Sequence, residues 1–381
     1  MQYRSIGKTG VEASALGFGC MRLPILGGKP QDIDEPAATR LLHEAIDMGV
    51  NYIDTAYFYH AEVFGQAGAS EPFVGRALAG GLREKVLLTT KMPVHILREP
   101  SQMEPFLAEQ LERLQTDYLD FYLLHGLNGE SWDRCVEFGA LDFLDRAVAE
   151  GRVRFPAFSF HGELADFKRI VDAYPWAFAQ IQYNYMDVDY QAGAEGLRYA
   201  ADKGIGVVVM EPLKGGKLAD KAPGELAKLL AEADPTRTPA EWALRYILDD
   251  PGVSLLLSGM NAHEQLVENV RVVSEAQVDG LSAAEHDTLE AARVMMQERI
   301  KADCTACRYC LPCPAGVDIP SVLAALNKGA IWDDPNQFTT GYLRVNGKAS
   351  LCTACGQCAE ICPQGLPIPE LMAEACAFFG E

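Results

Sequence analysis

Eight of the eleven cysteines lie in two short runs near the end of the chain. The runs, CTACRYCLPCP and CTACGQCAEICP, contain Cys304, Cys307, Cys310 and Cys313, and Cys352, Cys355, Cys358 and Cys362. Each run has three cysteines separated by two residues and a fourth followed by proline, so the runs form an internal repeat. In a long chain of ordinary composition, cysteines spaced in this way indicate metal binding rather than disulfides.

The repeat resembles the paired motifs of two-cluster bacterial ferredoxins. In those motifs the cysteine before proline binds the cluster of the other run. By this resemblance one [4Fe–4S] cluster is held by Cys304, Cys307, Cys310 and Cys362, and the other by Cys352, Cys355, Cys358 and Cys313. The spacing before the fourth cysteine differs between the runs, with two residues in the first run and three in the second. The crossing accounts for this difference, because a cysteine that binds the other cluster need not keep a fixed distance from its own run.

Two zinc sites of four thiolates each are the alternative interpretation, since zinc sites also use C-x2-C pairs. Zinc sites usually present two pairs from two hairpins, so a single run ending in proline favours the clusters. The 38 residues between Cys313 and Cys352 are expected to hold a helix at 321–329 and a loop. Cys376 is left over and is interpreted as a small, buried apolar residue.

A second set of residues could perform acid–base chemistry. Asp54, Lys91 and His125 stand near the ends of three successive apolar runs, and Tyr59 follows five residues after Asp54. If these ends converge, Lys91 would lower the pKa of Tyr59, and Asp54 would hold Lys91 in place. Tyr59 could then give a proton to a carbonyl oxygen as hydride reaches the carbon, with His125 hydrogen-bonded to that oxygen. Taken singly, each residue has a structural explanation. Asp54 could cap the next helix, Lys91 could be a solvated lysine, His125 could be a core histidine and Tyr59 could be an aromatic loop residue.

The elements that must position these side chains are eight β-rich apolar runs, which alternate with helical patterns before residue 300. The runs are ALGFG (15–19), NYIDTA (51–56), VLLTTK (86–91), LDFYLLH (119–125), VRFPAFSF (153–160), FAQIQYN (178–184), GIGVVVME (204–211) and VSLLLSG (253–259). This count predicts an α/β fold, a (β/α)8 TIM barrel, in which the carboxyl ends of the strands carry the active site. A doubly wound open sheet is the runner-up, weakened because G-x-G-x-x-G follows none of the runs.

Three of these segments, NYIDTAYFYH, LLTTK and YLLHGL, resemble the tetrad motifs of the aldo-keto reductases, which are NAD(P)H-dependent TIM barrels. The tetrad positions correspond to Asp54, Tyr59, Lys91 and His125. The likeness runs from YRSIGKTG through FSFHG and QIQYN to SGMNAHEQLVEN. The whole chain looks like the branch of that superfamily with a ferredoxin-like tail. The resemblance implies a barrel domain over 1–295 and a domain with two [4Fe–4S] clusters over 296–381.

The resemblance also implies a nicotinamide cofactor, NAD(H) or NADP(H). By the resemblance, Ser159 and Gln182 would contact the carboxamide of this cofactor. Leu213, Gly215 and Lys217 would lie along its pyrophosphate, and Gln265 and Asn269 would lie at its adenosine end. Members that prefer NADPH usually carry arginine where Gln265 stands. Because a 2′-phosphate would lack that guanidinium, the sequence leans away from strict NADPH use.

The composition and the start of the sequence limit which partners and which cellular location we expect. The formal net charge of −20 argues against a nucleic-acid partner. No apolar run approaches the length of a membrane span, and the start, MQYRSIGKTG, lacks the apolar segment of a signal peptide. We therefore expect a cytoplasmic protein that does not bind membranes or nucleic acid.

The leading hypothesis is an oxidoreductase that interconverts a small-molecule carbonyl and an alcohol by hydride transfer, with Tyr59 as proton donor. The alternative is an electron-transfer iron–sulfur protein whose barrel serves as a docking or sensing scaffold. A lyase or isomerase is a third possibility. Hydride carries two electrons and each cluster carries one, so the clusters could exchange electrons with a redox protein partner or have a structural role. A flavin would couple the two, although no flavin-binding motif is found.

Overall fold

The computed structural model describes residues 1–63, 65–332 and 341–381. The chain divides into two compact units. The barrel unit comprises Met1–Ala219 and Thr238–Ala283, and the tail unit comprises Asp220–Arg237 and Ala284–Glu381. The domain boundary at 295 and 296 stays a prediction.

Eight parallel strands close a barrel in the barrel unit. They are β3 (Leu16–Gly19), β4 (Tyr52–Asp54), β5 (Leu87–Met92), β6 (Leu119–Leu127), β7 (Val153–Phe160), β8 (Phe178–Gln182), β9 (Gly206–Met210) and β10 (Leu255–Ser258), and β10 pairs with β3 to complete the circle. Each strand overlaps one of the eight predicted apolar runs. The predicted TIM barrel is confirmed.

An antiparallel hairpin, β1 (Tyr3–Ser5) and β2 (Glu12–Ser14), precedes the barrel and was not predicted. Its buried Ile6 and Ala13 join the cluster of side chains that fills the barrel interior. The turn residue Gly7 has φ +49°, and a Cβ there would lie 2.6 Å from the backbone nitrogen of Gly206, the first residue of β9. The hairpin therefore covers the amino ends of the strands and leaves the carboxyl ends to form the site.

The helices are α1 (Glu35–Asp47), α2 (Ser70–Ala77), α3 (Met103–Arg113), α4 (Gly129–Glu137), α5 (Ala140–Ala149), α6 (Leu164–Ala173), α7 (Gly193–Asp202), α8 (Gly224–Ala233), α9 (Pro239–Asp249), α10 (His263–Glu275), α11 (Ala283–Gln297), α12 (Ile319–Trp332), α13 (Gln357–Glu360) and α14 (Ile368–Phe379). Helix α9 begins after Thr238, whose side chain accepts a hydrogen bond from the Glu241 nitrogen. The Glu241 carboxylate binds Arg245 and Arg271.

The tail unit has its own apolar core, formed largely by α12 and α14. Buried Leu323 and Leu326 of α12 belong to the same cluster as Met372 and Ala375 of α14. The helix predicted at 321–329 is confirmed within α12, while the loop predicted after it falls partly in 333–340, outside the described residues. Cys376 on α14 packs against this core, but it is only partly buried rather than buried as predicted.

In residues 1–63, 65–332 and 341–381, no helix has both the length and the apolar character to cross a membrane.

Candidate active site and cluster sites

The carboxyl ends of three neighbouring strands bring the predicted acid–base residues together. Asp54 ends β4, Lys91 lies one residue before the end of β5, and His125 lies near the end of β6. Tyr59 follows β4 in the loop that leads to α2. Because β4, β5 and β6 are adjacent in the barrel, all four side chains meet at one rim.

Lys91 is the centre of this group. Its side chain is fully buried, and its Nζ lies 2.7 Å from both carboxylate oxygens of Asp54 and 2.7 Å from the carbonyl oxygen of Thr55. The same nitrogen is 3.3 Å from the Tyr59 hydroxyl and 4.8 Å from the centre of the Tyr59 ring. These contacts hold an ammonium group directly beside the phenol.

Burial and the charges of neighbouring groups shift the pKa values of Asp54 and Lys91, and at each residue the two effects act in opposite directions. It raises the pKa of the Asp54 carboxyl, an effect that Lys91 opposes. Burial lowers the pKa of Lys91, but Asp54 and Tyr59 raise it by more, so its pKa lies above the ordinary value. Lys91 therefore carries its charge at neutral pH.

Two opposing effects set the pKa of Tyr59. Lys91 lowers it, as predicted, but burial raises it by more, so the net pKa lies above the ordinary value. The effect of burial was not predicted, because the sequence does not reveal how deeply the phenol is buried. Tyr59 is protonated at neutral pH and is ready to act as a proton donor.

His125 lies against two aromatic rings. Phe58 stacks on its imidazole with centroids 5.9 Å apart, and the Tyr59 ring meets it edge-on at 6.1 Å. Burial and then the charge of Lys91 hold the pKa of His125 well below its usual range, so the ring is neutral. A neutral imidazole carries one N–H donor, which suits a carbonyl oxygen placed beside Tyr59.

The loop that carries Tyr59 is fixed by the start of α2. The Ser70 nitrogen donates to the Tyr59 carbonyl oxygen (3.2 Å), and the Ser70 hydroxyl lies 2.8 Å from that of Thr55. Gly68 lies so close that a Cβ there would stand 1.9 Å from the same Tyr59 oxygen. Tyr59 and the Thr55 carbonyl that binds Lys91 are thus positioned together.

A buried carboxylate that sequence reasoning missed supports this arrangement. Glu71 is fully buried and accepts hydrogen bonds from Thr90 (2.6 Å), Gln110 (2.6 Å) and Arg113 (2.9 Å). Gln110 also donates to the Lys91 carbonyl oxygen (3.1 Å), and Arg113 donates to that of Gly68. Glu71 and Arg113 are 42 residues apart, so no local spacing signals their contact.

Substituting Gly68 by alanine tests whether the Tyr59 loop needs this close packing. The new methyl group would overlap the Tyr59 carbonyl oxygen and displace the loop. A misplacement of roughly 1 Å costs about 10²-fold in rate, so we expect kcat for nicotinamide-dependent turnover to fall by about that factor. Gly224→Ala is the matched control, because a Cβ at Gly224 has no heavy atom within 4 Å. A folded Gly68→Ala protein with unchanged kcat would contradict this role.

The two residues predicted to contact the carboxamide lie on adjacent strands, Ser159 in β7 and Gln182 at the end of β8. They do not contact each other through a hydrogen bond. The Ser159 hydroxyl accepts from the Gly126 nitrogen (2.7 Å), and the Gln182 amide nitrogen donates to Asp187 (2.7 Å). The Ser159 hydroxyl hydrogen and the Gln182 carbonyl oxygen face no protein hydrogen-bond partner among the described residues.

The three residues predicted along the pyrophosphate, Leu213, Gly215 and Lys217, belong to one turn after β9. Gly215 has φ +68°, which favours glycine. The lysine that the turn directs inward is Lys214, whose Nζ lies 2.6 and 2.5 Å from the two Asp187 oxygens. Sequence reasoning missed Lys214, which stands beside the predicted Lys217 in the same turn.

The remaining two candidates lie on α10. The partly exposed Gln265 accepts a hydrogen bond from the Asn261 nitrogen (2.9 Å). Asn269 is buried and donates to the Ser258 hydroxyl (3.0 Å) at the end of β10. Asn269 therefore links α10 to the barrel by a hydrogen bond. Of the two residues, Gln265 is the one whose side chain reaches solvent.

In the tail unit, the eight cysteines of the two runs line two cavities. Four of them line one cavity: Cys304, Cys307, Cys310 and Cys362. The other four line the second cavity: Cys313, Cys352, Cys355 and Cys358. Each cavity thus combines three cysteines of one run with the last cysteine of the other, which is the grouping of the crossed assignment.

The residues present fit a polynuclear cluster better than a single ion. Zinc would need four sulfurs at about 2.3 Å from one point. Within the described ranges, no three histidine, cysteine or acidic side chains are arranged to hold one metal ion. The cysteines instead line two separate cavities, with four cysteines at each. Apolar side chains such as Leu323 and Met372 complete the walls, as suits a cluster shielded from water.

Comparison with known proteins agrees with the description of both the barrel and the cysteine-rich tail. Residues 15–293 match the model of the Aldo/keto reductase family, and residues 303–366 match that of the 4Fe-4S dicluster domain. The uncharacterized oxidoreductase YrpG of Bacillus subtilis (strain 168) is 28% identical over 316 residues, 72% of this chain and 91% of its own. L-galactose dehydrogenase of Arabidopsis thaliana is 27% identical over 311 residues, 76% of this chain and 94% of its own. The aldo-keto reductase AKR11C1 from Bacillus halodurans (holo form) superposes with TM-score 0.63 at 28% identity, covering 77% of this chain and 96% of its own.

Proposed function

The chain belongs to the aldo/keto reductase family and is an oxidoreductase with a 4Fe-4S dicluster domain, and from this premise we propose that its barrel unit interconverts a carbonyl compound and an alcohol. The family resemblance read from the tetrad motifs is confirmed. The observation that supports the proposed reaction is the 3.3 Å contact between the Tyr59 hydroxyl and the buried Lys91 ammonium.

In the proposed mechanism, a bound nicotinamide supplies or accepts the hydride. Tyr59 donates its proton to the carbonyl oxygen in the reductive direction and takes it back in the oxidative direction. Lys91 stabilises the phenolate that remains, and Asp54 holds Lys91 charged and in place. His125 donates a hydrogen bond to the same oxygen and thereby fixes the carbonyl next to the phenol.

We propose that Ser159 and Gln182 bind the carboxamide of the nicotinamide cofactor through the Ser159 hydroxyl hydrogen and the Gln182 carbonyl oxygen, which have no hydrogen-bond partner in the described ranges. Leu213, Gly215 and Lys217 would lie along the pyrophosphate, and Gln265 and Asn269 at the adenosine end. Since Gln265 offers no guanidinium to a 2′-phosphate, NADH should serve as well as NADPH.

For the tail unit we propose two [4Fe–4S] clusters held by the crossed sets of cysteines. The clusters would exchange single electrons with a redox protein partner, or with a flavin that joins one-electron and two-electron chemistry. The two four-cysteine cavities also favour the second candidate function, an electron-transfer protein whose barrel is a docking or sensing scaffold. In either case we propose a cytoplasmic protein that does not bind nucleic acid.

Anaerobic purification followed by nicotinamide titration separates the two functions. We expect about eight irons and a similar amount of sulfide per chain. We expect NADH and NADPH to be oxidised only after a carbonyl compound is added. Oxidation of either cofactor with bleaching of the cluster absorbance, and without any carbonyl, would instead establish the electron-transfer function. Flavin content in the same sample decides whether a flavin takes part.

Paired cysteine substitutions test the crossed assignment. Cys304→Ser should remove one cluster and leave about four irons. Cys304→Ser with Cys362→Ser should also leave about four, because both residues serve the same cluster, whereas Cys352→Ser with Cys362→Ser should leave almost none. Cys376→Ser is the control and should keep about eight. The reverse pattern in the two double variants would show that each run binds its own cluster.

A further inference from the structure

His60 has a backbone conformation that is uncommon for residues other than glycine. It directly follows Tyr59, and its φ is +62°, in the left-handed region. A non-glycine residue held in that region carries a conformational cost and persists only where its surroundings stabilise it. The proposed mechanism does not use the imidazole of His60, so the presence of a strained histidine beside the proton donor needs an explanation.

The imidazole of His60 is buried and bonds to the segment between β3 and α1. Its Nε2 accepts a hydrogen bond from the Leu23 nitrogen (3.2 Å), and its Nδ1 lies 2.7 Å from the Pro30 carbonyl oxygen. The Leu23 nitrogen can only donate, and the Pro30 oxygen can only accept. Both contacts are therefore hydrogen bonds in one form of the ring alone, the neutral tautomer with its proton on Nδ1.

Burial favours this neutral form. It lowers the pKa of His60, and the carbonyl groups of Pro30 and Cys20 oppose the effect without cancelling it. Since the resulting pKa lies below the ordinary value, the ring is uncharged at neutral pH. Both of its nitrogens are then free to make the two bonds at once.

The segment that His60 binds is held together by its own hydrogen bonds. The Leu26 nitrogen donates to the Asp32 oxygen (2.7 Å), and the Asp34 nitrogen donates to the Pro24 oxygen (2.8 Å). Asp34 also caps the start of α1, where its side chain accepts from a helix nitrogen. Because its two ends are joined and one of them is attached to a helix, the segment is a firm anchor for the His60 ring.

The main chain at His60 is attached to the start of α2 as well. The Ala69 nitrogen donates to the His60 carbonyl oxygen (3.1 Å), and the Ser70 nitrogen donates to that of Tyr59. His60 is thus the residue at which the loop with Tyr59 is bound both to α2, through the backbone, and to the segment before α1, through the side chain.

We propose that His60 is a positioning residue for Tyr59 and holds its phenol beside Lys91 through the two imidazole hydrogen bonds. The left-handed conformation turns the chain directly after Tyr59, and the bonds to Leu23 and Pro30 stabilise that turn. His60 acts through Tyr59 and not on the reacting atoms. This inference rests on the proposed carbonyl–alcohol reaction, in which Tyr59 is the proton donor.

His60→Gly tests the proposal by kinetics. Glycine adopts the left-handed conformation readily, so this substitution keeps the turn accessible and removes only the side-chain bonds. A misplacement of roughly 1 Å costs about 10²-fold in rate, so we expect kcat to fall by about tenfold or more while KM for NADH changes by less than about threefold. A kcat at or above that of the unsubstituted protein would overturn the proposal.

Gln115→Gly is the matched control for this experiment. Gln115 also has a positive φ, +52°, but it is exposed and follows α3. Its replacement relieves the same kind of backbone strain without removing a bond to the Tyr59 loop. Because substitutions at such surface positions have small effects, we expect kcat to stay within about twofold of the unsubstituted protein.

His60→Asn tests whether the side-chain bonds carry the effect. Asparagine also tolerates the left-handed conformation, and its amide group can replace Nδ1 but not Nε2. We expect its kcat to lie between those of the unsubstituted protein and His60→Gly. A kcat no higher than that of His60→Gly would contradict a role for the hydrogen bonds.

NMR separates failure of the positioning role from failure of the proposed reaction. In the unsubstituted protein with nitrogen-labelled histidine, the His60 ring signals, identified by their absence in His60→Asn, should show the proton on Nδ1. With tyrosine labelled at Cζ, the Tyr59 signal, identified by its absence in Tyr59→Phe, should shift in His60→Gly and not in Gln115→Gly. If it shifts but no carbonyl compound is reduced by any of the proteins, the positioning role stands and the reaction fails. A proton on Nε2 of His60, or an unchanged Tyr59 signal in His60→Gly, would overturn the proposal.

Discussion

We expect Tyr59→Phe to lower kcat for the proposed nicotinamide-dependent carbonyl reduction by about 10²–10⁴-fold, the usual contribution of a positioned acid–base group. The substitution removes only the hydroxyl that lies 3.3 Å from Lys91 and keeps the ring that packs against His125. Cofactor affinity, measured by quenching of protein fluorescence, should change little because the phenol is placed to serve the carbonyl oxygen.

Tyr57→Phe is the matched control for this experiment. Tyr57 lies two residues earlier in the same loop, but its hydroxyl donates to Glu109 at 3.2 Å and not to Lys91. We expect its kcat to stay within a few-fold of the unsubstituted protein. If Tyr59→Phe turned over at the same rate as Tyr57→Phe, Tyr59 would not be the proton donor.

Lys91→Met should destabilise the barrel unit by about 3–5 kcal/mol, because it leaves the buried Asp54 carboxylate without its partner. The double variant Asp54→Asn with Lys91→Met removes both charges and should regain most of this stability. It should nevertheless stay inactive, since nothing then stabilises the phenolate of Tyr59. Urea unfolding followed by tryptophan fluorescence measures the first effect, and kcat measures the second.

The stability loss in Lys91→Met should depend on pH. Burial raises the pKa of Asp54, and without Lys91 nothing comparable opposes this rise. A carboxyl whose pKa is higher in the folded than in the unfolded state stabilises the fold at low pH and loses that contribution as pH rises. The deficit should therefore be smaller at about pH 5.5 than at about pH 8.

Lys203→Met is the control for the ion-pair experiment, because the Lys203–Asp172 pair lies at the surface. Its loss should change stability little, since exposed pairs contribute little. If Lys91→Met were no less stable than Lys203→Met, the buried pair would not have the role assigned to it.

Much of the barrel follows from the sequence because its strands are continuous apolar runs. Once eight such runs close into a barrel, Asp54, Lys91 and His125 must meet, since each stands at a carboxyl end. The hairpin β1–β2 escaped prediction because its strands are only three residues long. The grouping of the cysteines could also be predicted. The resemblance of the repeat to two-cluster ferredoxins implies the same two groups of four that line the two cavities.

Features that depend on distant contacts or on burial could not be predicted in this way. Glu71 and Arg113 meet across 42 residues, and nothing in either local segment indicates the other. The net direction of the Tyr59 pKa depends on how much solvent the phenol loses, which only the folded structure reveals. The turn at Gly215 directs Lys214 toward Asp187, a contact that the sequence prediction, which named Lys217, did not include.

Deuteride transfer tests the central claim most directly. Under anaerobic conditions, NADH that carries deuterium at the transferable position of C4 is mixed with a small aldehyde that the protein reduces, and the alcohol product is analysed by mass spectrometry while cluster reduction is followed by EPR. We predict one deuterium on the former carbonyl carbon, no cluster reduction linked to turnover, and loss of product with Tyr59→Phe. An alcohol without deuterium, or NADH oxidation that yields reduced clusters and no alcohol, would contradict hydride transfer at this site.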